Sequence, residues 1–372
     1  MRKLRVAVVG AGRLGGFHAQ KLADAADVEL VAVVDPLPAA RNRVAAKCRT
    51  QPLGDHRPLL GGIDAAVIAS PTAFHHRLAL EFLLRDIHVL VEKPICSTQA
   101  EADQLVAAAR RGGLVLQVGH VERFNPAFTA AAVHTAGAKY IEAVRASSFT
   151  FRSTDVGVVL DLMIHDIDLV LSLAASPVRR VEALGLSVLG GHEDVANARI
   201  EFECGCVAAL SASRVSHLPA RRMQIWSPRA FAHVDFGART TTLVRPSETL
   251  LRRQFDVNGL TPEQVAYLRD HLAEEHLPRE ELEFEAVDAL ALEVRDFIDS
   301  IRTPRAARVS GEAGRDALAV AEQILEKIDA HAWDETANGP VGPLAVPRPR
   351  VISAPHLDVD SIQSPLARRE AG

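Results

Sequence analysis

LRVAVVGAGRLGG, residues 4–16, decides the fold of the first third of the chain. Leu4–Val9 is a short valine-rich apolar run of the kind that fills a buried strand. Gly10, Gly12 and Gly15 follow at G-x-G-x-x-G spacing, and a helical pattern runs on to about Ala26. A second strand, Glu29–Val34, ends at Asp35. Strand, glycine turn, helix and strand, closed by an acid about 20 positions past the last glycine, make a dinucleotide-binding fingerprint. Gly10 permits the tight turn, Gly12 lets the backbone approach a pyrophosphate, and Gly15 allows close packing of helix on strand. The first helical turn, with Arg13 and Leu14, offers unpaired amides to the phosphates. Asp35 suits the free ribose hydroxyls of NAD and repels the 2′-phosphate of NADP, a preference that Arg41 and Arg43 nearby weaken.

Working outward, strands and helices keep alternating. Ala65–Ala69, Asp86–Val91 and Leu114–Val118 read as strands, and Phe74–Leu84 and Gln99–Arg111 as helices. This order predicts a doubly wound parallel α/β sheet over residues 1–122, with its ligand crevice at the carboxyl ends of the strands. Ser70, Pro71, Thr72 and His75, then Glu92 and Lys93, then Gly119, His120 and Asn125 all follow such ends. They are the further candidate contacts of a nicotinamide cofactor.

After Pro126 the pattern changes. Tyr140–Thr150, Val181–Leu189, Asn197–Glu203, Val207–Val215, Met223–Trp226 and Ala230–Phe236 read as strands without intervening helices, several with period-two alternation. They predict a C-terminal α+β domain over 123–330, built on a mostly antiparallel sheet. A helix over Leu160–Leu173 packs on it, and Thr261 and Pro262 begin a charged helix to Glu275. Phe284–Arg302 and Glu312–Ala330 are two more helices. Residues 331–372, with six prolines, read as an extended tail. In LDLMIHDIDLVLSL, residues 160–173, Asp161, His165 and Asp168 fall at i, i+4 and i+7, a polar stripe on an otherwise apolar helix. Buried groups of this kind need partners, and a capping Asp with a satisfied core His explains the stripe as well as a catalytic pair does.

Composition excludes other classes. The 372 residues suggest about two domains, and a net charge of −5 gives no general attraction to nucleic acid or anionic membrane. No apolar run of about 18 residues is present, and the first strand leaves no room for a signal peptide, so a cytoplasmic location is expected. The four cysteines lack paired metal-ligand spacing. His18, His75, His76 and His120 lack a carboxylate–His ligand spacing, so no metal is expected.

VVGAGRLG at 8–15, SPTAFH at 70–75, EKP at 92–94, GHVERFNPAF at 119–128 and the D-x-x-x-H-x-x-D set at 161–168 together resemble the Gfo/Idh/MocA family of nicotinamide-dependent sugar and cyclitol oxidoreductases. The resemblance runs over about residues 4–330. Its longer GHVERFNPA and LDLMIHDIDLVLSL segments are similar to the branch that oxidises the C3 hydroxyl of UDP-N-acetylglucosamine. In that branch a pyridoxal-phosphate aminotransferase converts the 3-keto sugar to a 3-amino sugar for lipid A precursors. Related members take the uronic acid form of the sugar, other sugars or inositols. Ser247–Glu283 and the tail depart from the family core.

The resemblance implies NAD as cofactor and a nucleotide sugar as substrate. Alcohol oxidation needs a base, and His165 is the leading candidate, because an imidazole is neutral near pH 7. Lys93 would stabilise developing alkoxide, and which of the two takes the proton stays open. Asp161 either orients the imidazole or holds a substrate hydroxyl. Arg123 and Asn125 meet substrate or nicotinamide, or Arg123 forms an interdomain salt bridge. Asp168 caps or pairs within the helix junction. A nicotinamide-sensing regulator without chemistry is the alternative class. A sheet face left uncovered by the chain's own helices predicts a homodimer or homotetramer.

Overall fold

The computed structural model describes residues 2–151, 155–189, 192–303 and 305–331. The proline-rich tail from 332 lies outside them. The first domain runs β1 (Leu4–Val9), α1 (Arg13–Asp24), β2 (Val28–Val34), α2 (Pro38–Cys48), β3 (Gln51–Leu53), β4 (Ala65–Ile68), α3 (His75–Leu83), β5 (His88–Glu92), α4 (Gln99–Gly112) and β6 (Leu116–Gly119). Its strands pair in parallel in the order β3-β2-β1-β4-β5-β6. Strand order reverses beside β1, which puts the glycine turn at the topological switch point. The elements α2 and β3 went unread in the sequence: α2 opens on a proline without a side-chain cap, and β3 is three residues long. Where local signals are strong they hold, as in α4. Thr98 and Glu101 form a capping box at its start, and Gly113 closes it in the left-handed conformation.

The second domain contains α5 (Pro126–His134), β7 (Tyr140–Ala146), a π turn over Val159–Met163 leading into α6 (Ile164–Ala174), β8 (Val178–Leu186), β9 (Val195–Phe202), β10 (Val207–Ser213), β11 (Ala220–Trp226), β12 (Phe231–Asp235) and β13 (Thr240–Val244). Then come α7 (Glu248–Leu251), α8 (Pro262–His276), β14 (Arg279–Glu283), α9 (Ala289–Arg302) and α10 (Gly311–Ala330). The sheet order is β14-β13-β12-β11-β7-β10-β9-β8, antiparallel except between β7 and β10. Two of its strands escaped the sequence reading. One is β13; the other, β14, is made of Arg279, Glu280, Glu281, Leu282 and Glu283, and only its pairing with β13 makes so charged a segment a strand.

Packing also crosses residue 122. Val294, Phe297 and Ile298 of α9 share a core cluster with Leu4, Val6, Val8, Ala19 and Leu22 of β1 and α1. Arg295 pairs with Asp27 at 2.9 Å, and Val118 donates its amide to the carbonyl of Val309 at 3.0 Å. The chain therefore returns to finish its first domain, a packing that linear sequence does not reveal. The helix α10 seats closely on β6, since a Cβ on Gly314 would stand 2.4 Å from Val118 Cγ2.

Candidate active site

The glycine turn is shaped by contacts that exclude side chains. Gly10 has φ +103°, and a Cβ there would meet Ala69 O at 2.4 Å. A Cβ on Gly15 would lie 1.8 Å from Gly10 O. Gly12 is different: nothing lies within 4 Å of its Cβ position, so this side of the turn is open. Gly12 is also the N-cap of α1, whose first turn carries Arg13 and Leu14 and holds no acidic residue. An open backbone at an uncapped helix start fits a diphosphate. Asp35 stands beside it, accepting the Ala11 amide at 2.7 Å and the Leu37 amide at 2.8 Å. Arg41 and Arg43 are bonded to backbone carbonyls, Arg41 to those of Asp35 and Pro36 and Arg43 to that of Ala11.

The carboxyl ends of β4 and β5 are tied together by His75. Its ring is buried and reaches Ser70 O at 2.7 Å and Pro94 O at 2.9 Å, so it braces the Ser70–Pro71–Thr72 turn against the Glu92–Lys93–Pro94 turn. Burial lowers its pKa, against the pull of those two carbonyls. Lys93 projects across to the second domain. Its Nζ donates to the backbone carbonyl of Asp161 at 2.7 Å and to Asp161 Oδ1 at 3.1 Å. Glu92 does not form a surface pair with it. That carboxylate is buried and lies 2.6 Å from His18 Nε2. Burial opposes its ionisation, but the His18 bond and the neighbouring cations bring its pKa below the usual value.

His165 and His120 meet over this lysine, their rings edge to face with centroids 6.0 Å apart. His165 Nδ1 and both nitrogens of His120 are buried without hydrogen-bond partners. Burial, then the Lys93 charge, holds the His165 pKa well below 6.5 and pushes that of His120 down to about 3. Two neutral imidazoles and an ammonium thus converge where the two domains meet. Unpartnered buried nitrogens of this kind are what a polar ligand satisfies.

The geometry selects among the alternatives that the sequence left open. Asp161 does not orient His165, because its carboxylate is on Lys93. The π turn over 159–163 adds a residue to the turn and breaks the strict α stripe. Asp168 is buried and faces Arg123 at 3.4 Å, and burial raises its pKa to about 7. Arg123 also donates to Arg308 O, so it belongs to a tether between β6's following loop and the returning chain. Asn125 spends its side chain capping α5 and donating to Glu122. Gly119 sits against Glu92, where a Cβ would come within 2.8 Å of the carboxylate. Sequence reading missed Arg145, buried and bidentate to Asp166 at 2.7 and 3.0 Å, and bonded to Glu122 at 2.9 Å. Arg221 joins Glu122 as well. These pairs fix the strand under His165, and only the i+1 position of Asp166 beside His165 hinted at them.

Rossmann topology, an open glycine turn and a lysine beside neutral imidazoles together define a nicotinamide-dependent oxidoreductase. Two family models match the chain: the oxidoreductase family with NAD-binding Rossmann fold over residues 4–120, and the GFO/IDH/MocA C-terminal domain over residues 101–230. The UDP-N-acetylglucosamine 3-dehydrogenase of Acidithiobacillus ferrooxidans is 35% identical over 331 residues, covering 89% of this chain and 99% of that protein. A solved structure of that dehydrogenase superposes with a TM-score of 0.77 at 34% identity, with 89% and 99% of the two chains covered. The scyllo-inositol dehydrogenase of Lactobacillus casei, solved with NAD(H) and scyllo-inositol, shares the fold at a TM-score of 0.70 and 19% identity, covering 88% of this chain and 98% of that one. The chain belongs to the Gfo/Idh/MocA family of oxidoreductases, with its NAD-binding Rossmann domain. No helix among the described residues is long and apolar enough to cross a membrane.

Proposed function

We propose that this protein oxidises the C3 hydroxyl of UDP-N-acetylglucosamine with NAD, giving the 3-keto nucleotide sugar. The observation that carries this reading is the Lys93–Asp161 contact beside the unpartnered nitrogens of His165 and His120, in a chain 35% identical to a dehydrogenase of that name across nearly its whole length. The cofactor, when bound, supplies the hydride acceptor. The open turn at Gly10, Gly12 and Gly15, with Arg13 and Leu14, receives its diphosphate. Asp35 receives the adenosine ribose, and its carboxylate disfavours a 2′-phosphate and hence NADP. Ser70, Pro71, Thr72, His75, Glu92, Gly119 and His120 line or brace the nicotinamide half.

The chemistry follows from the charges. Asp161 holds the Lys93 ammonium by carboxylate and carbonyl, leaving its remaining proton for the substrate oxygen. That positive charge favours alkoxide over alcohol. His165, kept neutral by burial and by the same lysine, is ready to accept the hydroxyl proton. The 3-keto product suits a pyridoxal-phosphate aminotransferase making a 3-amino sugar for lipid A precursors. We further infer a homo-oligomer through the sheet face of β7, β9, β10 and β11 that the chain's own helices leave half-exposed, with Glu142, Asn197, Ser211, Arg222 and Gln224 on it.

The test is an assay of the purified protein with NAD and UDP-N-acetylglucosamine, with and without a partner aminotransferase. NADH release and a 3-keto product trapped as the 3-amino sugar are expected. Turnover of inositols or of the UDP-uronate, with none of the hexosamine, would overturn the substrate assignment while leaving the dehydrogenase class intact.

A further inference from the structure

A second group of donors lies beside the Lys93–His165 cluster. His18 of α1, Glu92 at the end of β5 and Glu293 of α9 each present one donor atom, and the three atoms lie within 4.8 Å of one another. All three side chains are buried, His18 and Glu293 completely. His18 Nε2 and Glu92 Oε1 stand 2.6 Å apart, but neither carboxylate oxygen of Glu293 has a hydrogen-bond partner, and His18 Nδ1 has none either. Lys93 Nζ is bonded to Asp161 and makes no hydrogen bond to Glu293. Gln117, which donates to the backbone carbonyl of Glu293 at 3.0 Å, keeps its own Oε1 unpartnered and buried.

Two carboxylates this close in a dry pocket repel each other, and the charge that His18 leaves unmet must be met by a proton or by a cation. Protonating Glu293 removes one charge, and burial together with the Glu92 charge pushes its pKa well above the usual range. Protonation alone still leaves the other Glu293 oxygen and His18 Nδ1 without partners. A divalent cation meets both carboxylates and balances the charge in one step. One imidazole nitrogen with two carboxylate oxygens is a donor set for borderline ions such as Zn²⁺ or Mn²⁺.

We propose that His18, Glu92 and Glu293 form a buried structural site for a divalent transition-metal cation, which clamps the returning helix α9 to α1 and β5. The site is independent of the sugar substrate.

The test uses the full-length, tag-free protein, stripped with chelator and titrated with zinc or manganese. Metal content is read by mass spectrometry and stability by thermal melting. Wild type should take up one more equivalent than Glu293→Gln and melt several degrees higher when loaded, while the variant's melting point stays put. If Glu293→Gln does not fold, His18→Gln takes its place in the same comparison. Equal uptake by wild type and variant, or a wild-type melting point unmoved by either metal, would overturn the site and leave Glu293 holding a proton.

Discussion

Lys93 reaches from the first domain to the backbone and side chain of Asp161 in the second, so one residue closes the domain junction and, in the proposed reaction, brings the charge to the substrate oxygen. Lys93→Met should keep NAD binding, measured by fluorescence titration, and lower turnover by roughly 10²-fold or more, as should His165→Ala. Full activity in His165→Ala would remove it from the mechanism. The pH profile separates the roles further. A base whose folded pKa lies well below 6.5 stays neutral down through that value, so kcat/KM should show no acid limb centred at 6.5. A limb there that vanishes in His165→Ala would mean the ring titrates normally. Asp168 gives the complementary stability test. Its carboxyl, near 7 in the fold against an ordinary 3.8, binds its proton more tightly folded than unfolded. The folded state therefore loses stability as pH rises from about 4 to 7. Asp168→Asn should raise the melting temperature relative to wild type at pH 8, and the gain should shrink toward pH 4. That Lys93, His165 and Asp161 gather at one junction was legible in sequence because each sits in a motif. That Asp161 serves the lysine rather than the imidazole was not, because a π turn leaves no mark in residue spacing.

Among the elements, the glycine turn and α1 separate folding from ligand binding. Gly12 has φ −67° and free space around its Cβ position, so an alanine there strains nothing in the protein itself. Gly12→Ala should leave the melting temperature within about a degree of wild type, as an unstrained exposed substitution does, yet weaken NAD by roughly tenfold or more, because the methyl occupies the diphosphate's approach. Gly15→Ala drives a methyl into Gly10 O and should cost stability as well as binding. Melting curves with and without NAD for both variants check the distinction, and equal destabilisation of the two would contradict it. The fingerprint, the parallel order and the cap at Thr261 could be read because local chemistry dictates them. The strands β13 and β14 could not, because partners supply what their own residues lack.

For the molecule as a whole, the decisive feature is that α9, far along the chain, packs on the first strand and helix. A reading in linear order divides the chain near residue 122, since hydrophobic periodicity says which face of α9 is buried but not against what. Val294, Phe297 and Ile298 fill the cluster formed by β1 and α1, and each is almost fully buried there. At about 1.5–3 kcal/mol for each large apolar side chain, this contact contributes on the order of 5–9 kcal/mol. A typical domain has a net stability of only about 5–15 kcal/mol, so the first domain cannot spare it. Removing α9 also strips Asp27 of its Arg295 and Arg302 partners, and losing α10 uncovers Leu116 and Val118 on β6. A fragment of residues 1–122 should therefore express poorly or populate a loose state that binds hydrophobic dye and takes up no NAD. The same fragment joined through a flexible linker to residues 286–331 should melt cooperatively and recover NAD binding. Cooperative melting of 1–122 alone would show that the dinucleotide domain is self-sufficient and that α9 merely rests on it.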